Sequence, residues 1–431
     1  MYKLLKGKKL LYLGGIKRAE YVVKRAKQLG IYVIVADYNE DSPAKKVADE
    51  GLLVDAMNVD DIVNVCVEKN VDGIMTGYAD ILMPVCYEVC KRTGLNCYFT
   101  ESMLKASTDK EYFKKICFEN NVPVPKTYQV FKDNIDEFKG TIDYPVFIKP
   151  IDASGSRGAD VCWNATELKS KYELASSFSK KGNVTVEDFL SGTEFILDYL
   201  IIDGIPYLLS MADRYTQDNS RVAINSPNLM ILPSKNLSSY LKYVNENVCH
   251  MFKKCNFKNG LIFLQGYAKG EKITFYEMGC RLGGTWPYID EYFTGFNPLD
   301  LLFRHALDGT MIESDIDVSH SLNPCFKGYA GIIYFLSNCE NGRINKIRGI
   351  RELNDIDGVV DVMQFYDEGE TFELGSQTDI RFLSVHLVAC NFIELEQRIN
   401  QVYDVVDFLD DENNSLVATH YDFKLLNGYK E

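Results

Sequence analysis

The first third of the chain alternates short apolar runs with helix-period segments, and this alternation restricts the fold more than any other feature. Lys9-Leu10-Leu11-Tyr12-Leu13 ends at Gly14-Gly15, a helical pattern runs to Leu29-Gly30, and Tyr32-Val33-Ile34-Val35-Ala36 follows. The order repeats with a helical stretch over Ile62–Val67, a strand Gly73-Ile74-Met75-Thr76 stopping at Gly77, and a helix over Leu82–Arg92. Strands separated by helices imply a doubly wound parallel sheet, because parallel neighbours need a crossover and the helix supplies it. Ligands of such sheets bind beyond the carboxyl ends of the strands, so Gly14-Gly15, Asp37-Tyr38 and Gly77-Tyr78-Ala79-Asp80 should share one rim. Tyr78 and Asp80 are candidate substrate contacts there, with plain tight turns as the competing reading. A dinucleotide loop is disfavoured, since Gly-Gly-Ile-Lys-Arg-Ala is not G-x-G-x-x-G and Lys17-Arg18 fill positions where a glycine lets the helix approach.

At 431 residues the chain has room for two to four domains. With 47 Lys+Arg against 61 Asp+Glu the net charge is −14, which argues against non-specific nucleic-acid binding and makes any phosphate site a local one. The longest apolar runs fall short of the ~20 residues that span a bilayer, and no secretory pattern is seen at the N-terminus. The 12 cysteines are scattered without a CxxC pair or zinc spacing, so reduced thiols and a cytoplasmic location are expected.

The middle of the chain carries the chemistry. Tyr144-Pro145-Val146-Phe147-Ile148-Lys149-Pro150 is a strand-like run with one lysine, and a lysine in an apolar strand calls for an anion. Directly after it, Ser154-Gly155-Ser156-Arg157-Gly158 is a small-residue loop able to present backbone N–H groups to a polyphosphate; a flexible hairpin is the alternative. No G-x-x-x-x-G-K-[ST], G-x-S-x-G or H-E-x-x-H occurs, and the five histidines are dispersed. Thr185-Val186-Glu187-Asp188-Phe189-Leu190-Ser191-Gly192-Thr193-Glu194 offers two acids beside a turn. In Thr274-Phe275-Tyr276-Glu277-Met278-Gly279-Cys280-Arg281, alternation puts Phe275, Glu277 and Gly279 on one face with Arg281 continuing it. That pairing reads as metal ligand and phosphate clamp, or as a salt bridge.

Taken in order, Asp109-Lys110, Phe147-Ile148-Lys149-Pro150, the 154–158 loop, Val186-Glu187-Asp188-Phe189-Leu190, Gly192-Thr193-Glu194 and Glu277-x-Gly279-x-Arg281-Leu-Gly-Gly resemble the ATP-grasp superfamily. More narrowly, the chain is similar to ATP-dependent carboxylate–amine ligases related to biotin carboxylase, the purine carboxylases and a short carbamoyl phosphate synthase large chain. Pro43-Ala44-x-x-Val47-Ala48-Asp49 and Thr294-Gly295-Phe296-Asn297 extend the likeness along the chain. The resemblance implies that Lys110 and Lys149 contact the α- and β-phosphates of ATP and that Ser154–Gly158 closes over the β- and γ-phosphates. It places Glu187 and Leu190 at the adenine edge, Glu194 on the ribose, Glu277 and Gln265 at Mg²⁺ (or Mn²⁺), and Arg281 on an acyl-phosphate. Lys149 and Arg281 are the expected catalytic residues. Such roles suit phosphoryl transfer, which is mostly positioning and charge neutralisation.

Two positions depart from the family pattern: Gln265 stands where a carboxylate is usual, and Gly279 where an asparagine is. Three accommodations are open. Water and ATP oxygens complete the ion's shell, Glu291 or Asp290 substitutes, or the protein binds nucleotide with weak or no ligase activity; Mg²⁺ chemistry favours the first. The expected architecture is mixed α/β and α+β in three domains: a doubly wound domain at 1–102, an ATP-grasp domain at 103–312 with a lid around 125–190, and an α+β domain at 313–431. The last is read from strands at 328–336, 358–362 and 381–389 and a helix over Ile393–Val406. In the resembled ligases this module completes the substrate pocket, to which Trp286 and Arg304 are further candidates. The implied substrates are a small carboxylate, or bicarbonate, and an amine; the oligomeric state, a homodimer included, stays open.

Overall fold

The structure, a computed structural model, describes residues 5–138, 140–151, 158–216, 226–282, 286–313, 316–375, 379–423, 426, 428 and 429. Ser154, Gly155, Ser156 and Arg157 of the expected phosphate loop lie outside the described residues.

Four parallel strands come first: β1 (Lys9–Leu13), β2 (Tyr32–Asp37), β3 (Glu50–Leu53) and β4 (Gly73–Met75), in the order β3-β2-β1-β4. The crossovers are α1 (Ala19–Gln28), α2 (Pro43–Val47) and α3 (Val59–Lys69), and α4 (Met83–Thr93) follows β4. Leu10 through Leu13 are all buried, as a central strand covered on both faces requires. The sheet is fastened to the rest of the molecule by Arg25 of α1. Its guanidinium donates to both oxygens of Asp300 (2.7 and 2.6 Å) and to Glu291 Oε1 (2.9 Å), a bidentate geometry that fixes orientation as well as distance.

Helices α5 (Glu101–Thr108) and α6 (Lys110–Glu119) follow. Asp109 starts α6 by accepting from the N–H groups of Glu111 and Tyr112, both at 3.0 Å, so the Asp-Lys dipeptide is a cap that sets Lys110 in the first turn. Strands β5 (Thr127–Tyr128), β6 (Val146–Pro150), β7 (Asp160–Cys162) and β8 (Val184–Asp188) make a small sheet in the order β5-β8-β6-β7. With α7 (Ile135–Phe138) and α8 (Leu168–Phe178) it encloses a core of its own around Val146, Ile148, Leu168 and Val186.

The large sheet begins with the hairpin β9 (Thr193–Ile202) and β10 (Ile205–Tyr215). Its turn is Asp203-Gly204, both with positive φ (49° and 81°), the pair a two-residue turn between twisted strands demands. β11 (Leu229–Leu232), α9 (Leu237–Tyr243), α10 (Asn245–Lys254), β12 (Gly260–Lys269), β13 (Lys272–Gly279), α11 (Pro287–Thr294) and α12 (Pro298–Asp308) follow. Gly295 (φ +77°) ends α11, and Asn297 caps α12 by accepting from Leu299 N (3.0 Å). The remainder comprises β14 (Tyr329–Leu336), β15 (Asn341–Arg343), β16 (Lys346–Arg348), β17 (Val359–Gln364), β18 (Thr371–Glu373), β19 (Arg381–Ala389), α13 (Phe392–Val405) and β20 (Asp407–Leu409). The sheet order is β13-β12-β9-β10-β11-β14-β19-β17. Because β14 pairs with β11, one sheet runs straight across the expected 312/313 boundary. One face packs Phe195 and Phe275 against Tyr240 and Tyr199 against Phe252; the other carries Ile196, Ala212 and Phe263 with Trp286 and Ile289. No described helix is long and apolar enough to cross a membrane.

Candidate functional site

Along β6, Val146 and Ile148 point into the small core, while Phe147 and Lys149 lie on the half-buried face. The anion that Lys149 needs is Glu187 on β8. Lys149 Nζ donates to Glu187 Oε1, and Lys114 Nζ donates to Oε2 and, at 2.9 Å, to Thr127 Oγ1. Lys110, one turn earlier on α6, shares with Lys114, Lys149, Thr127, Ile151 and Thr185 the wall of a cavity of about 60 Å³. Burial by itself would raise the Glu187 carboxyl, but the Lys149 and Lys114 ammonium groups outweigh it and hold the group below the usual range. Burial lowers Lys114 in turn. Lys114 escaped the sequence reading; its only signal is the i, i+4 spacing from Lys110 on one helix face.

Past β8 the chain runs by half-buried Leu190 and turns at Gly192, where φ is +123° and a Cβ would meet the Ala268 carbonyl oxygen at 2.2 Å. Glu194 then accepts from Arg214 Nη1 and Tyr276 Oη. Arg214, on β10 directly opposite Glu194, is a second residue no motif pointed to.

The expected face of β13 is corrected by a β-bulge. Gln265 pairs with Glu277 while its neighbour Gly266 pairs with Phe275, so Tyr276 is the additional residue. Phe275 is buried against Phe195 on one side of the sheet. On the other, Tyr276 Oη bonds Gln265 Oε1 (3.3 Å), and Glu277 lies across from Gln265. Thus Tyr276 and Glu277 share the face that strict alternation assigned to Phe275 and Glu277. Glu277 is half-buried and has no hydrogen-bond or ion-pair partner among the described residues. Helix α6 packs on β13 and sends Lys114 to the small sheet, which joins the two groups of residues.

At the rim of the parallel sheet, Asp37 is occupied locally: its carboxylate accepts from Gly15 N at 2.7 Å, the tight-turn reading. Asp80 accepts from Arg281 Nε, and the backbone N–H of Leu282 bonds the Gly77 carbonyl at 3.0 Å, so the rim and the end of the Glu/Arg strand meet. Trp286 is buried, its Nε1 donating to Tyr334 Oη at 3.4 Å. Arg304 is not brought to this rim; its guanidinium bonds Thr310 Oγ1 and Glu313 Oε1 on the outgoing turn of α12.

Residues 109–311 match the family model described as carbamoyl-phosphate synthase L chain, ATP binding domain. The match makes this segment similar to the ATP-binding domain of ATP-grasp proteins. A formate-dependent phosphoribosylglycinamide formyltransferase from Sulfurisphaera tokodaii is 29% identical over 42% of this chain and 47% of that protein. The chain spans about half the length of the first curated relatives it matches. Among solved structures, the biotin carboxylase domain dimer of Hydrogenobacter thermophilus 2-oxoglutarate carboxylase, in complex with MgADP, ADP and bicarbonate, has a TM-score of 0.76 at 19% identity. The superposition covers 95% of this chain and 91% of that one. Phosphoribosylglycinamide synthetase from Anaerococcus prevotii has a TM-score of 0.75 at 17% identity, over 94% and 100% of the two chains.

Of the two residues expected at a divalent ion, Glu277 is the carboxylate and Gln265 the amide. A Cβ on Gly279 would sit 2.2 Å from the Phe263 ring, so the ring fills the space of the asparagine that the family places there. Neither proposed substitute acid is open to the site: Glu291 accepts from Arg25 and Asn297, and Asp290 is buried at 3% exposure. One carboxylate and an amide fit Mg²⁺ only if phosphate oxygens and water supply the other ligands, which is how this ion is ordinarily bound beside nucleotides. Behind this site lie two acids of another kind. Asp198 on β9 is opposite Phe263, has both oxygens buried without a hydrogen bond among the described residues, and is pushed well up by burial and by Asp290. Burial pushes Asp290 up to about 8.

Proposed function

We propose that the chain is an ATP-dependent ligase in which a substrate carboxylate, or bicarbonate, attacks the γ-phosphate of ATP. The bond from the γ-phosphorus to the bridging oxygen breaks, and ADP leaves. An amine then takes the acyl group from the acyl-phosphate and phosphate leaves. The observation that carries the reading is the convergence of Lys110, Lys114 and Lys149 on one cavity, from a capped helix start and a strand, inside the segment that matches an ATP-binding domain. In this reading Lys149 exchanges Glu187 for phosphate oxygens, and Ser154–Gly158 covers them. Leu190 and Glu187 meet adenine, and Glu194, steadied by Arg214 and Tyr276, meets the ribose. Glu277 and Gln265 would hold Mg²⁺, which when bound neutralises phosphate charge. Arg281, oriented by Asp80, supports the acyl-phosphate. The same reading makes the protein cytoplasmic, with small-molecule partners.

A second reading, nucleotide binding with weak turnover, is favoured by one observation: the Phe263 ring against Gly279 leaves Glu277 without the usual companion. An assay of ADP release with Mg²⁺, ATP and a panel of acids and amines separates the two. The ligase reading expects ADP release from wild type with some acid and amine pair, and a loss of at least ~10²-fold in Lys149→Ala and in Arg281→Ala, the scale of removing an electrostatic stabiliser. ATP binding with no ADP release across the panel would leave the second reading standing.

A further inference from the structure

Tyr276 enters the site through an irregularity of the sheet and joins two groups that the motifs keep apart. Gln265 stands opposite Glu277 and Gly266 opposite Phe275, so Tyr276 is the extra residue of the bulge and shares a face with Gln265 and Glu277. The bulge is built into the sequence: a Cβ on Gly266 would meet the Thr274 carbonyl oxygen at 2.4 Å. The Tyr276 ring is held against Tyr267, with ring centres 5.9 Å apart. Its hydroxyl has three neighbours. Glu194 Oε1 accepts from it, Arg214 Nη1 donates to it at 3.3 Å, and Gln265 Oε1 lies 3.3 Å away.

A phenol hydroxyl has one proton and two lone pairs. A carboxylate only accepts and a guanidinium only donates, so the proton goes to Glu194 and one lone pair to Arg214. What remains for Gln265 is a lone pair, which a carbonyl oxygen cannot bond. Turned end for end, the amide fills the same space, donates Nε2–H to Tyr276 and faces its carbonyl oxygen away from the hydroxyl. Glu277 is directly across the ladder, at the spacing of cross-strand neighbours, about 5 Å between Cβ atoms. A carboxylate at position 265 would offer oxygen at either end, whereas an amide offers it at one end only. The Phe263 ring fills the space beside Gly279, so the orientation of this amide bears directly on the ion. We propose that Tyr276 is a positioning residue for the divalent ion: by accepting from Gln265 Nε2 it turns the Gln265 carbonyl oxygen toward the ion that Glu277 binds, and by donating to Glu194 it ties that orientation to the ribose contact. The proposal rests on the roles of Glu194, Gln265 and Glu277 in the ligase reading and adds the residue that couples them.

The test measures, by calorimetry on the full chain, the affinity for a non-hydrolysable ATP analogue with Mn²⁺ and again with EDTA; the ratio of the two is the contribution of the ion. Wild type should bind more tightly with Mn²⁺. Tyr276→Phe keeps the ring and removes the hydroxyl, and should cut the ratio by about tenfold, the scale of losing the partner that orients a metal ligand. In the Gln265→Glu background, where either oxygen serves, Tyr276→Phe should leave the ratio unchanged. A purely structural role would lower affinity under both conditions and in both backgrounds alike. Tyr276→Met, which also lacks the hydroxyl, takes the place of Tyr276→Phe should that variant not fold. A ratio unchanged in Tyr276→Phe, or reduced equally in the Gln265→Glu background, overturns the positioning role. Equal wild-type affinity with Mn²⁺ and with EDTA overturns it too and leaves nucleotide binding standing, whereas no binding of the analogue under either condition overturns the ligase reading and the proposal with it.

Discussion

Glu187 and Asp198 are both buried carboxylates on consecutive strands, β8 and β9, and they are in opposite electrostatic states. Glu187 has two lysines on it, and its carboxyl is held below the ordinary range although burial works against ionisation. Asp198 has no cation, faces another acid, Asp290, and is driven up with it. Burial is common to the two, so it is the reach of a neighbouring ammonium group that decides between them. The consequence is functional. In the ligase reading, the Glu187 carboxylate keeps two lysines in place until phosphate oxygens compete for them. Burial pushes the carboxyls of Asp198 and Asp290 upward, toward the neutral form.

Breaking the first state should have the largest effect on the fold. Glu187→Ala leaves the Lys114 and Lys149 ammonium groups against each other, and removal of one member of a buried ion cluster costs about 3–5 kcal/mol; the lower end applies because both lysine heads reach the cleft. Urea unfolding measures it. A loss under about 1 kcal/mol would mean that water already screens the cluster, as at exposed pairs. Next comes the pH dependence contributed by Asp290. Its folded value, about 8, is above its ordinary 3.8, so between these limits the folded chain keeps a proton that the unfolded chain has released. That stabilisation is complete below about pH 4, declines by ~1.4 kcal/mol per pH unit as pH rises, and is gone above about pH 8. Asp290→Asn is neutral throughout and should remove this slope. Unfolding curves at pH 5, 6 and 7 for both proteins give the difference, and parallel pH profiles would show that Asp290 is ionised in the native state.

The two acids also mark how far residue patterns reach. Lys149, Glu187, Glu194, Glu277 and Arg281 stand out in the sequence because each lies in a contiguous motif whose neighbours announce a strand or a turn. Lys114 does not, since a lysine on the exposed face of a helix is ordinary until a partner arrives from β8. The doubly wound order of β1 to β4 followed from alternation, whereas the side chains of β13 did not. One inserted residue, Tyr276, changes the face that every later side chain occupies, and a bulge leaves no mark in apolar periodicity. The continuation of the large sheet from β11 to β14 was likewise invisible, because edge pairing depends on which backbone groups are left open, not on composition.

The smallest effect sharpens the comparison most. If Glu187 is neutralised by two lysines and ATP takes one of them, the other has to stay. Lys114 is suited to that, with its Nζ also anchored on Thr127 Oγ1. In Lys114→Met the carboxylate has Lys149 alone, holds it harder, and nucleotide binding must break the one remaining pair. Affinity for ATP should fall by about threefold to tenfold, on the order of 1 kcal/mol, while the maximal rate of ADP release stays close to wild type and Lys114→Arg restores the affinity. A structural role alone would lower the unfolding midpoint without separating affinity from rate. Tighter or unchanged ATP binding in Lys114→Met would show that Glu187 releases Lys149 without help, and the paired state of this acid would then be a property of the empty cleft alone.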